Sequence, residues 1–161
     1  MTAAPRPTPM AFPPAIPPAM LAEMVAHARE AWPAEACGII TGTAEALTHL
    51  TRCTNVQDAD PQNPSRTTRD GYTIDPGEMF RILRDARGRG EDIRVIYHSH
   101  VDAGAYFSEE DRRMATWDGE PIYPGVGYIV IAVHGGEPRE ASLFTWSGDA
   151  RDFEGAPLEI R

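Results

Sequence analysis

Two histidines one residue apart, His98 and His100, are followed eleven residues after the second by Asp111. Imidazole nitrogen and carboxylate oxygen are zinc ligands, and a catalytic zinc site uses three protein ligands and leaves a fourth position for water. Ser108, three residues before Asp111, adds a hydroxyl that could reach a reacting carbonyl. The chemistry that these types and spacings suggest is metal-assisted hydrolysis.

The surrounding sequence supplies a geometry for it. The run Ile93-Arg94-Val95-Ile96-Tyr97-His98-Ser99-His100 is rich in β-branched and aromatic residues. It lies between turn signals at Gly88/Gly90 and Asp102-Ala103-Gly104, which predicts a strand. Side chains alternate along a strand, so His98 and His100 share a face and could bind one ion together. Ser108-x-x-Asp111 also reads as a capping box opening a helix, with Glu109 and Glu110 in its positive first turn. That cap is compatible with Asp111 facing a metal. Taken alone, a His-x-His pair is often chance or a solvated face, and Glu35 reads as a solvated turn residue.

The combined pattern His98-x-His100, seven residues, Ser108, two residues, Asp111 resembles the metal-binding motif of the JAMM (MPN-plus, Mov34/PAD-1) metallopeptidases. Trp32-Pro33-Ala34-Glu35-Ala36-Cys37-Gly38-Ile39-Ile40-Thr41-Gly42 is similar to the family's upstream glutamate segment. Thr54-Asn55-Val56 and Tyr72-Thr73-Ile74-Asp75-Pro76 resemble the middle of its small bacterial members, and the likeness runs through about residues 18 to 147. The resemblance implies a layered α/β (α+β), cytidine-deaminase-like fold, with a mixed curved sheet flanked by helices. It also implies one catalytic Zn²⁺ on His98, His100 and Asp111, Glu35 as the proton carrier and Ser108 as the oxyanion donor. The implied substrate is the C-terminal Gly-Gly tail of a ubiquitin-like or sulfur-carrier (ThiS/MoaD-type) protein, cut at a peptide or isopeptide bond. The inserted loops look short, which favours a carrier-protein peptidase over deubiquitinase-like removal of conjugates. A non-catalytic MPN scaffold is the alternative from another class. The chain departs from the family at Val101 and Phe107, where many members carry proline, and this bears on substrate preference more than on metal binding.

These residues need a framework. Met20, Leu21, Met24, Val25, Ala28 and Trp32 recur at helical spacing, predicting an amphipathic helix over about 18–31 that Pro33 ends. Gly38 to Thr43 and Ala46 to Cys53 read as strands, and the polar stretch 55–70 as a loop. Asp75-Pro76-Gly77-Glu78 is a helix start, with Met79, Ile82, Leu83 and Ala86 as the buried stripe and Gly88 or Gly90 as the stop. A third helix should run from Ser108 to about Thr116, followed by strands at Gly127–Val133 and Glu140–Trp146. His27 falls on the polar side of the first helix, His49 in a strand and His134 at a turn, and none is given a role in the chemistry.

Composition sets the outer bounds. The chain has 161 residues, 42% of them hydrophobic, with a formal net charge of −9. That length suits one domain, placed at residues 19–161. The acidic balance argues against a nucleic-acid surface, and no apolar run approaches a membrane span. The first eighteen residues hold seven prolines, which favours an extended, poorly ordered arm and excludes a signal peptide. Cys37 and Cys53 are expected as buried free thiols, and nothing suggests export, so a cytoplasmic setting is expected. Oligomeric state is left open, a homodimer being one option.

Overall fold

The computed structural model describes residues 15–160. Its centre is a six-stranded sheet in the order β2-β1-β3-β6-β7-β8. The strands are β1 (Cys37–Gly42), β2 (Leu47–Cys53), β3 (Asp92–Val101), β6 (Gly127–His134), β7 (Glu137–Ser147) and β8 (Asp152–Leu158). Every neighbouring pair is antiparallel except β3–β6. Parallel neighbours require a long crossover. Here that crossover carries the loop 102–108, helix α3 (Glu109–Ala115) and a small hairpin, β4 (Thr116–Trp117) with β5 (Glu120–Pro121). It returns the chain over the C-terminal end of β3, where His98 and His100 lie. The expected mixed, layered fold is present.

Alternation along β3 divides the core in two. Val95 and Tyr97 pack with Ile129 and Ile131 beneath helix α1 (Pro18–Ala31), which buries Met24, Val25 and Ala28. Ile96 packs with Tyr128 and Val130 on the other face, against Met79, Ile82 and Leu83 of helix α2 (Pro76–Gly88). Asp75 caps α2 by accepting from the Glu78 amide at 3.1 Å. The helix ends in a Schellman motif: Gly90, at φ 75°, donates to the Arg87 carbonyl while Glu91 donates to that of Ala86. Cys37 and Cys53 face each other across β1–β2 as free, buried thiols.

Several expectations shift. Trp32 is exposed rather than part of the helical stripe, because the chain leaves helical geometry at that residue. The strand expected over Glu140–Trp146, β7, begins at Glu137, three residues early, beyond a register shift at Ala132/Val133. A 3-10 turn (Gln57–Ala59) interrupts the expected loop. β8 and the β4–β5 hairpin were not anticipated. β8 is an edge strand carrying Gly155 and Pro157, a composition tolerated at edges and weak as a strand signal. Of the proline-rich arm, residues 1–14 lie outside the described residues, while Ile16 already packs on the α1 face and Pro18 opens α1.

The buried tyrosine of β3 fixes two neighbours. A Cβ on Gly38 would run into the Tyr97 ring, so the adjoining strand needs glycine there. The Tyr97 hydroxyl lies 2.7 Å from His27 Nδ1, which gives the histidine on the polar side of α1 a structural partner. Burial holds the Tyr97 proton well above its ordinary range, so the hydroxyl stays protonated beside His27. Burial first, and then the nearby Arg52, lower the His27 pKa. The unfolded chain therefore takes up a proton near pH 6.5 that the folded chain resists, and stability present above that pH is lost as pH falls. Wild-type Tm should drop more steeply between pH 7 and pH 5 than that of a His27→Gln variant; parallel profiles would refute this.

Candidate metal centre and active-site cleft

Each element delivers one part of the site. β3 projects His98 and His100 to one side, as the alternation requires. Helix α3 brings Asp111 to them through its cap: the Ser108 hydroxyl accepts from the Asp111 amide at 3.0 Å, and the Ser108 amide donates to Asp111 Oδ2 at 3.0 Å. The same carboxylate then faces both histidines, with His98 Nε2 3.1 Å from Oδ1 and His100 Nε2 3.1 Å from Oδ2. The two Nε2 atoms are 3.2 Å apart. All three residues are buried and form a group that could hold a metal ion.

The protonation pattern shows why the group suits a cation. His100 Nδ1 lies 2.9 Å from the Gly104 carbonyl, which can only accept. The Nδ1 proton is thereby fixed, so Nε2 is the ring nitrogen that His100 turns toward Asp111. Full burial holds His98 below its ordinary pKa. Burial also pushes Asp111 upward, but His98 and His100 pull harder the other way and leave it ionised. Two imidazole nitrogens and a carboxylate that converge at 3.1–3.2 Å need positive charge among them, from a proton or a cation. A tetrahedral ion with zinc-like bonds of about 2.0–2.1 Å separates its donors by roughly 3.3 Å, so this donor set and spacing fit zinc.

Glu35 and Ser108 line one cleft with His100 and Asp111, about 330 Å³ in volume. Glu35 is only 6% exposed. Burial, reinforced by the Asp111 and Asp70 carboxylates and partly offset by Arg66, pushes its pKa up to about 9. Its position depends on the neighbouring residue: the Ala36 amide donates to Ser99 Oγ at 2.7 Å, and the Ser99 amide donates to the Ala36 carbonyl at 3.0 Å. The residue between the two histidines therefore holds the segment that carries the acid. Ser108 Oγ spends one lone pair on the Asp111 amide and keeps its proton free for the cleft.

Other contributors were not foreseen. Tyr72 stacks on His98 with ring centroids 4.3 Å apart, and Tyr106, 54% exposed, meets the edge of His100 at 5.2 Å. Asn55 uses its whole amide: Nδ2 donates to the Glu35 and Gly71 carbonyls, and Oδ1 accepts from the Gln57 and Thr73 amides. It thus ties the acid to the loop that carries Tyr72. The loop 101–107 is anchored at both ends. Asp102 exchanges bonds with Val133 and Gly135, and Phe107 packs among Tyr128, Phe144 and Phe153.

A mixed sheet with a buried His-His-Asp group, a capping serine and a buried acid in one cleft defines a JAB/MPN-type domain. A family profile described as prokaryotic homologues of the JAB domain matches residues 17–146, and the chain belongs to that family. It is 31% identical over 131 residues to a desampylase of Haloferax volcanii, covering 78% of this chain and 82% of that protein. It is 33% identical over 136 residues to a CysO-cysteine peptidase of Mycobacterium tuberculosis, covering 84% and 80% respectively. A JAB1/MPN domain protein from Archaeoglobus fulgidus superposes with a TM-score of 0.55 at 15% identity, over 94% of this chain and all of that one. That last likeness speaks for the fold alone.

The Asn55 network is testable on its own. Asn55→Asp keeps the two accepted bonds and sets a carboxylate oxygen against the Glu35 and Gly71 carbonyls. Losing both donors should lower stability by about 2 kcal/mol, which in a domain of this size lowers Tm by roughly 4–8 °C. An unchanged Tm would show that the amide is not holding these segments.

Proposed function

We propose that this chain is a zinc-dependent peptidase acting at the C-terminal Gly-Gly end of a ubiquitin-like or sulfur-carrier protein. The coarser statement, a hydrolase of the JAB family working on such a partner, follows from relatives that are a desampylase and a CysO-cysteine peptidase. The observation that carries the finer reading is that Glu35, Ser108, His100 and Asp111 line one cleft, with His98 completing the donor group. Residues 19–161 form the catalytic unit in this reading, with Ile16 and Pro18 of the proline-rich arm joined to its first helix. Among the described residues no helix is long and apolar enough to cross a membrane, and two free buried thiols suit a cytoplasmic setting.

His98, His100 and Asp111 would hold the ion through two neutral imidazoles and one carboxylate. When bound, zinc supplies a water of lowered pKa and a positive charge that offsets the push of Asp111 on Glu35. The Glu35 carboxylate takes a proton from the attacking water and delivers it to the leaving amine. The free hydroxyl proton of Ser108 donates to the carbonyl oxygen as negative charge gathers there, a type of contact worth about 3 kcal/mol where measured. The capping bond fixes the orientation of that hydroxyl before substrate arrives.

Glu35→Gln separates chemistry from folding. In the zinc-loaded protein, kcat on a carrier extended beyond Gly-Gly should fall by about 10²–10⁴, with zinc stoichiometry unchanged. Cleavage at the wild-type rate would overturn the assignment, and a purified protein carrying well under one zinc per chain would favour a scaffold. In the metal-free protein the same change should raise Tm near neutral pH. The raised Glu35 pKa makes the folded chain keep a proton that the unfolded chain releases, so stability declines as pH climbs from 4.5 toward 9. Glutamine removes that decline, as a thermal melt in chelator at pH 7.5 would register.

A further inference from the structure

Beside Glu35 the cleft is lined by two guanidinium groups, Arg66 and Arg69. Arg66 is half-buried, and its Nη1 donates to the Asp70 carbonyl at 2.8 Å, which holds the side chain at the cleft and leaves its other donors free. It lies near enough to Glu35 to moderate that residue's proton affinity. Neither arginine forms an ion pair with a carboxylate among the described residues. Most carboxylates around them are committed elsewhere. Asp70 Oδ1 accepts from the Thr67 amide, Glu110 pairs with Arg113, and Asp111 faces the histidines. Glu109 projects from the exposed first turn of α3, where the helix dipole already favours it.

Two uncommitted guanidinium groups near the proton-delivering acid call for an anion on the leaving group. The candidates differ there. In a peptide bond to a single terminal residue, the amine that departs sits on the same carbon as a free α-carboxylate. In an isopeptide bond, the departing amine ends a four-carbon apolar stem and carries no nearby anion. We propose that Arg66 and Arg69 form the subsite for the leaving group's α-carboxylate, so that the enzyme releases one C-terminal amino acid from the carrier rather than a lysine-linked protein. This rests on the peptidase reading above. Water's hydroxyl adds to the Gly carbonyl carbon, the C–N bond breaks and the proton goes to nitrogen. The products are a carrier carboxylate and a free amino acid, with no other reactant.

The test uses the zinc-loaded, full-length enzyme and one ubiquitin-fold carrier ending in Gly-Gly in three forms. These are extended by a single residue with a free carboxylate, by the same residue as its carboxamide, and isopeptide-linked to the side chain of an acetyl-lysine amide. Wild type should favour the acid over both others by at least tenfold in kcat/KM, mainly through KM. That ratio should fall toward one in Arg66→Ala/Arg69→Ala. Arg69→Ala alone, at an exposed side chain that has no partner among the described residues, should lower it part of the way, so the reading does not depend on the double variant folding. Equal wild-type rates on acid and amide, or a preference that survives in the variants, would overturn the subsite while leaving the peptidase intact. Failure of the wild type to cut any of the three would overturn the peptidase reading and the subsite with it.

Discussion

Placing an ionised carboxylate inside a protein is expensive unless partners surround it, and the layout of this molecule follows from keeping Asp111 charged while buried. Two imidazoles from β3 flank it, and the Ser108 amide donates to it from the helix cap. The β3–β6 crossover positions α3 so that this cap meets the strand end. The cap and the donor set are one structure: the hydrogen bonds that start α3 also aim the carboxylate and leave the Ser108 proton available to the cleft.

Glu35 presents the converse case. It is buried near two like charges with Arg66 as a partial offset, so its proton affinity rises. The fold tolerates this because its backbone is secured from two sides, by Ser99 through the adjacent Ala36 and by Asn55 through its own carbonyl. Strain of this kind belongs at a working site, and here it is confined to one side chain whose main chain is tightly held.

Much of the framework could be read from the chain because its signals are local. The alternation that aligns His98 with His100, the box from Ser108 to Asp111 and the start of α2 each depend on residues within a few positions. Contributors that depend on the fold left no such trace. Gly104 acts through a carbonyl that every residue possesses, and Tyr72 and Asn55 reach their partners only after α2 and β3 have docked. His27 fell on the polar side of α1, and only the packing of Tyr97 gives it a partner. Edge strand β8 escaped notice because Gly155 and Pro157 interrupt its pattern. Glu35 was legible only through family resemblance, since a lone glutamate before a strand carries no signal.

The loop between β3 and α3 is suspended from two fixed points. Asp102 binds it to the β6–β7 turn, and Phe107 sinks into an aromatic cluster on the sheet. Between them, the polar demand made by the metal centre is a carbonyl at Gly104, which any side chain would leave in place. Ala103 and Tyr106 line the cleft, and their side chains can change in sequence while the donors behind them stay put. Such an arrangement lets a lineage change what it accepts at the cleft by small steps, without passing through forms that have lost their catalytic apparatus.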